Sequence, residues 1–384
     1  MIAIPAVFMR GGTSKGLFFR AEDLPAGRAE RDAIFLRALG SPDHYGRQLD
    51  GMGGGISSLS KVVVIGAPSR EDADVDYLFA QVAVNEPLVD YGGTCGNLVS
   101  AVAQYAVDEG LVEVGHDTAI VRIHAVNTGK IVRAEVAVID GSARIDGNLE
   151  IPGVSGCGAP IRLEFLDPDG TRTGALLPTG NTIDHLETPS LRSIRVSLVD
   201  AANPCVFVAA TDVGLVGDES PAALDSDPRG RALLEEIRAA AGVRMGLGES
   251  PTDVTEHSKS SPKVAIVAPP REMPILDGKR LAADAMDICA RMISMGKAHR
   301  AFPITGALCL AVASRLPGTV ANEMLSLSSH DAELRIGTPS GAVVVAARVE
   351  QEGTKYRTRH AVAYRTARRL MEGKVLVPET IKGD

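Results

Sequence analysis

Short runs of Val, Ile and Ala recur along the chain, bounded by Gly, Pro, Asp and Asn, and such runs read as β-strands. The pattern predicts strands over Ala3–Met9, Lys61–Gly66, Tyr77–Val84, Ala119–Ala125, Lys130–Ile139, Ile161–Phe165, Ser193–Val199, Cys205–Ala210, Lys263–Ala268 and Ala342–Val349. Apolar positions at helical spacing predict helices over Arg28–Leu39, Asn97–Glu109, Asp227–Ala241, Ala282–Met295, Ala307–Arg315 and His360–Met371. Strands outnumber helices and do not alternate with them one for one. That favours an α+β fold over a doubly wound α/β sheet.

Three features recur in the same order. Lys61–Pro68 and Lys263–Pro270 each begin with Lys, run through a strand and stop at Pro. Further on, Thr94-Cys95-Gly96-Asn97 and Ile304-Thr305-Gly306-Ala307 each open an apolar helix, which sets Cys95 against Thr305. Ala3–Met9 finds its counterpart in Ser193–Val199. The sequence therefore predicts two homologous lobes facing each other across a cleft. The first spans 1–185, with segment 372–384 a candidate to complete it, and the second spans 186–371.

Composition narrows the function. The 384 residues are 45% hydrophobic and 23% charged, enough apolar material for a core in each lobe. A net charge of −8 disfavours a main role in gripping nucleic acid or an anionic membrane. The five cysteines are scattered, with neither CxxC nor zinc-ligand spacing, so neither a disulfide framework nor a metal site is expected. The N-terminus shows no signal-peptide pattern, and no apolar run nears the ~20 residues of a membrane helix, so the expected location is the cytoplasm. Met9–Gly16 is not a Walker A loop and Gly51–Gly55 is not GxGxxG; no cofactor is expected.

Cys95 is the leading chemical candidate. It precedes Gly96-Asn97 and an apolar helix, where unpaired N–H groups and the helix dipole favour a thiolate or a bound anion. Its bland alternative is a buried, inert cysteine, which the other four are expected to be. Lys61 enters a Val/Ile strand behind a Gly/Ser loop. Desolvated there, it could act as a base near neutral pH; charged, it could pair with a substrate carboxylate; or it could simply face water. Arg10, Ser14 and Lys15 lie in a donor-rich loop suited to a carboxylate, or else in a tight turn between strands. Thr179-Gly180-Asn181 forms a second donor-rich turn, and Gly296–Arg300 gathers Lys297, His299 and Arg300. Asp72, Asp74 and Asp76 lack the spacing of an EF-hand and read as a strand entrance.

Taken in order, Met9–Gly16, Gly40–Asp43, Gln48–Gly54, Ser60-Lys61, Asp74–Phe79, Cys95–Asn97, Leu177–Asn181 and Pro339–Gly341 resemble the methylaconitate isomerase (PrpF-type) family. That family includes 2-methylaconitate isomerases, methylitaconate Δ-isomerases and 4-oxalomesaconate tautomerases or isomerases. The resemblance implies a diaminopimelate epimerase-like fold: two pseudo-symmetric domains, each a curved mixed sheet around a central helix. It implies a cofactor-independent isomerase that shifts a proton and a double bond, or exchanges cis for trans, in a small unsaturated di- or tricarboxylate. Lys61 and Cys95 would be the acid–base pair. Substrate contacts would come from Arg10, Ser14, Lys15, Gly96, Asn97, Thr179, Gly180, Asn181, Lys297, His299, Thr305 and Gly306. Two-thiol racemases of this fold carry a second cysteine where Thr305 stands, which argues against an epimerase of that kind. An epimerase or racemase of the diaminopimelate epimerase fold and a non-catalytic carboxylate binder stay open, as does a homo-oligomeric state. The stretch Gly40–Asp50 leans towards methylaconitate and Ala175–Asn181 towards oxalomesaconate.

Overall fold

The computed structural model describes residues 1–326, 333–353 and 355–379. Its contacts divide the chain into two compact units. One comprises Met1–Glu150, Gly156–Leu163 and Arg365 onward; the other comprises Ile151–Ser155 and Glu164–Tyr364. The first unit thus hands over to the second earlier than residue 185, and the chain returns to it at Arg365 rather than at 372. The reason for the early return is pairing along the whole last strand, described below.

The principal strands in chain order are β1 (Ile2–Gly11), β2 (Ser14–Arg20), β3 (Lys61–Gly66), β4 (Val75–Val82), β5 (Thr118–Ala125), β6 (Lys130–Ile139), β7 (Ile194–Ala201), β8 (Asn203–Ala209), β9 (Lys263–Ala268), β10 (Ile288–Ser294), β11 (Glu333–Thr338), β12 (Gly341–Glu352), β13 (Lys355–Arg365) and β14 (Ala367–Val377). The principal helices are α1 (Arg28–Leu39), α2 (Gly96–Asp108), α3 (Pro228–Arg244) and α4 (Ile304–Ser314). Among the described residues, no helix is long and apolar enough to cross a membrane.

The units repeat one scheme. In the first, β1–β2 is antiparallel, β2–β3 parallel, β3–β4 antiparallel, β4–β5 parallel and β5–β6 antiparallel. In the second, β7–β8, β8–β9, β9–β10, β10–β11 and β11–β12 follow the same alternation. α1 and α3 each connect the second strand of a unit to the third, and α2 and α4 each connect the fourth to the fifth. Both α2 and α4 are buried over almost their entire length, because their apolar residues run all the way round rather than along one stripe. On the opposite sheet face of the first unit, Leu17, Phe19, Val62, Val64, Ala80 and Val82 pack with Phe35, Ala38 and Leu39 of α1. Each unit is therefore a mixed sheet with a buried central helix on one side, and the fold is α+β.

Two expected helices are strands. Ala282–Met295 holds one short 3-10 turn at Ala283–Ala285 and then β10, whose seven residues are almost wholly buried between β9 and β11. A continuous apolar run of this kind reads equally well as helix or strand. His360–Met371 is the end of β13 and the start of β14, despite its good helix formers Ala, Arg, Leu and Met. Pairing decides there: β13 zips onto β12, and β14 onto β1 from Ile2↔Val377 to Gly11↔Ala367.

Candidate functional site

Residues 9–16, read as a binding loop, form the tip of the β1–β2 hairpin: Arg10 pairs with Lys15, Gly11 with Ser14, and only Gly12-Thr13 turn. Strand alternation then sorts the side chains. Leu17, two positions beyond Lys15, packs against α1, so Lys15 and its partner Arg10 lie on that face; the Lys15 ammonium sits 5.7 Å from the Phe8 ring centre. Arg10 spends its guanidinium on the carbonyls of Gly12 and Thr366. Ser14 and Gly16 occupy the other face, towards α2. Of the three candidates Arg10, Ser14 and Lys15, Ser14 alone faces α2.

The α2 side of the sheet gathers Ser14, Lys61, Tyr77 and Gln81. Val62 and Val64 face α1, so Lys61 faces α2, and its register partner is Gln81. The Lys61 ammonium donates to Gln81 Oε1 at 2.6 Å and lies 4.9 Å from the Phe79 ring centre. Only 8% of the lysine is exposed. Burial pushes its pKa below the usual value, and the Cys95 side chain opposes that shift.

Cys95 is the N-cap of α2 and is 7% exposed; its Sγ lies 3.8 Å from Ser14 Oγ. No side chain caps that helix start. Tyr77, on the same face of β4 as Phe79 and Gln81, clamps the cysteine backbone. Its hydroxyl donates to Cys95 O at 3.1 Å and accepts from Cys95 N at 3.3 Å. Burial holds the Tyr77 phenol well above its usual pKa, so it stays a neutral donor. The backbone of Gly96 and Asn97 forms the first turn of α2, where N–H groups lack intrahelical partners. The Asn97 side chain is occupied: Oδ1 accepts from Arg365 Nε at 3.0 Å, and Nδ2 donates to Thr13 Oγ1 at 3.2 Å. Arg365 is almost fully buried, and burial lowers its pKa to about 10.

The remaining candidates belong to the second unit. Thr179 donates to Asp184 Oδ2 at 2.7 Å and Asn181 to Asp184 Oδ1 at 3.3 Å, while Gly180 turns the chain at φ +79°. Asp184, not a free anion, absorbs those side-chain donors. Lys297 is exposed on a short strand paired with the end of β10, and His299 Nδ1 meets the Ala301 carbonyl. Thr305 is 3% exposed and lies inside the first turn of α4, whose N-cap is Pro303; it does not take the cap position that Cys95 takes in α2. Gly306 makes room for Met292, whose Sδ would lie 2.6 Å from an added Cβ. Among the described residues, no cluster of His, Cys, Asp and Glu could hold a metal ion.

Gln81, Tyr77 and Arg365 were not singled out by sequence reasoning. A polar Gln81 closing the Tyr77–Phe79 face of an apolar strand was the available signal; Arg365 gave none, because its segment reads as helix.

Comparison with known proteins now bears on this geometry. The PrpF protein family matches residues 1–378. The chain belongs to the PrpF family. It is 41% identical over 375 residues to the 3-methylitaconate isomerase of Eubacterium barkeri, covering 97% of each chain. It is 40% identical to the 2-methyl-aconitate isomerase of Shewanella oneidensis and 39% identical to the (4E)-oxalomesaconate Delta-isomerase of Novosphingobium sp., with 98% of each chain covered in both cases. A crystal structure of methylitaconate-delta-isomerase superposes with TM-score 0.79 at 40% identity, covering 98% of this chain and 96% of that one. A probable proline racemase from Agrobacterium radiobacter, at 14% identity, gives TM-score 0.53 over 98% and 93%. That likeness shows the fold alone, and the PrpF chain has the diaminopimelate epimerase-like architecture.

Proposed function

We propose that this PrpF protein is an isomerase of small unsaturated di- or tricarboxylates, with Lys61 and Cys95 as its acid–base pair. The observation that carries the reading is that Lys61 and Ser14 face α2 from the same side of the sheet, while the Cys95 thiol at the start of α2 lies 3.8 Å from Ser14 Oγ. One is a desolvated amine with a neutral partner, the other a thiol at an uncapped helix start. One of the two takes a proton from the carbon allylic to the double bond. The C–H electron pair moves into the conjugated system, giving a dienolate. The other group delivers a proton to the far carbon, so one C–H bond breaks, another forms, and the double bond migrates without net oxidation. Backbone N–H groups at the start of α2 and the charge of Lys61 stabilise the anionic intermediate.

The substrate class follows from chemistry and kinship together. The relatives act on methylitaconate, 2-methylaconitate and oxalomesaconate at 39–41% identity, so likeness does not choose among them. Proton NMR in heavy water against 2-methylaconitate, methylitaconate, trans-aconitate and oxalomesaconate tests the reading. Double-bond migration is expected in at least one. C95S and K61A should each lose roughly 10²–10⁴-fold, the usual contribution of a positioned acid or base. Failure to convert any of the four, or near wild-type rates in either folded variant, would overturn the assignment.

A further inference from the structure

We propose that Gln81 is a positioning residue for this reaction: its side-chain oxygen, locked in one orientation by the backbone of Ser57 and Ser60, fixes the Lys61 amine and gives it a neutral acceptor. The inference rests on the reading of Lys61 as an acid–base group.

The lock is geometric. Gln81 Nε2 donates to Ser57 O at 3.0 Å and to Ser60 O at 2.8 Å. Carbonyls only accept, so both N–H groups of the amide are committed and the amide cannot flip. Oε1 is therefore left facing Lys61 Nζ at 2.6 Å. The orienting carbonyl is itself anchored: Ser60 Oγ accepts from the buried Gln48 Nε2 at 2.7 Å. The same nitrogen donates to Ser41 Oγ at 2.8 Å, and Gln48 Oε1 accepts from Gly55 N at 2.9 Å. The Gly/Ser loop before β3 thus ends on the amine through one chain of hydrogen bonds.

The neutrality of the acceptor matters as much as its position. A carboxylate in that place would hold the ammonium as a buried ion pair and oppose loss of its proton. An amide orients the group with a weaker grip on its charge. The second unit supplies a contrast within the same molecule. Lys263 opens β9 as Lys61 opens β3, but it is half-buried and meets Ser294 Oγ at 3.1 Å and Ser260 O at 2.9 Å. There a hydroxyl stands where the first unit places an oriented amide.

The test reads the amine directly. Protein labelled with ¹³Cε-lysine is followed by NMR across pH, with the Lys61 signal assigned by its loss in K61M. Q81E should move the Lys61 midpoint up by about 1–3 pH units, as an opposite charge at this range does. Q81M, which keeps the bulk and removes the acceptor, should move it down. S294E, the matched change beside Lys263, should leave the Lys61 midpoint in place. The pH–rate profile for whichever of the four acids the wild type converts is measured in parallel, and its limb should move with the midpoint. A Lys61 midpoint unchanged in Q81E and Q81M overturns the inference; should Q81E not fold, Q81M alone decides. A midpoint that moves while the rate profile stays fixed keeps the grip of Gln81 on the amine. It overturns the acid–base reading of Lys61, and with it the part of Gln81 in the reaction.

Discussion

A lysine held against an aromatic ring and an amide, away from water, weakens the fold whenever it is charged. In the unfolded chain its amine titrates near 10.5; in the fold, burial brings it lower. Between those two values the unfolded chain holds a proton that the folded chain has released, so stability rises with pH across that window. Below it both states are charged and the burial cost is felt in full. Wild type should therefore gain stability relative to K61M as pH climbs towards 10.5, with a constant difference below the window. Denaturant unfolding of both proteins at stepped pH measures this; a gap that ignores pH would show that the buried amine does not titrate as described. At this scale the sequence was informative where a residue type was unusual for its place. Lys61 behind a Gly/Ser loop and Cys95 before Gly96-Asn97 were visible. Lys15 and Arg10 were misplaced because a two-residue turn, not a loop, separates β1 from β2, and alternation then turns them to the other face. Thr179 and Asn181 read as a donor-rich turn because the pattern alone does not show that Asp184, a few residues on, folds back onto them.

Among the elements, the β1–β2 hairpin carries a tight constraint. A Cβ on Gly16 would lie 2.7 Å from the Lys61 carbonyl oxygen, and one on Gly11 would lie 2.5 Å from the Asn97 carbonyl oxygen. These are backbone atoms, which cannot rotate away. G16A should cost about 1–3 kcal/mol, the usual range for overpacking, and should depress isomerisation because β3 must shift at Lys61. Gly66, at the other end of β3, is the control: its added Cβ would meet neighbours at an ordinary 3.7 Å, so G66A should be tolerated. Thermal unfolding and turnover of the two variants settle the matter; equal behaviour would show that the hairpin is not tight against Lys61. The ten predicted strands all exist, because period and turn chemistry are local. β10, β13 and β14 were missed or misread because their conformation is set by partners distant in sequence, and helix-forming residues yield to that pairing.

At the level of the whole molecule, the repeat seen in three short sequence features extends to five successive strand pairings and two helices in each unit. Duplication preserved the architecture and let the chemistry diverge. One central helix begins at a cysteine and the other at a proline with Thr305 buried behind it. The duplication was legible because Lys-strand-Pro and the apolar helices kept their order. The return of the C-terminal segment to the first unit is expected from 372, while the structure starts it at Arg365, because β14 pairs with β1 along its whole length.

That last strand has a consequence for how the protein is made. β1 and β14 are far apart in the chain, and β14 is made long after β1, yet the two pair along ten register positions. A nascent chain therefore carries β1 with one side unmatched until β14 has been made, and an unmatched strand recruits neighbours. Ending the chain after Tyr364 would make that state permanent and would also remove the Arg365 bond to Asn97. Such a protein should sediment with the insoluble fraction on expression. A soluble, monodisperse product on gel filtration would mean the N-terminal unit can close without its C-terminal strand. β14 is thus the latch on the unit that holds Lys61 and Cys95.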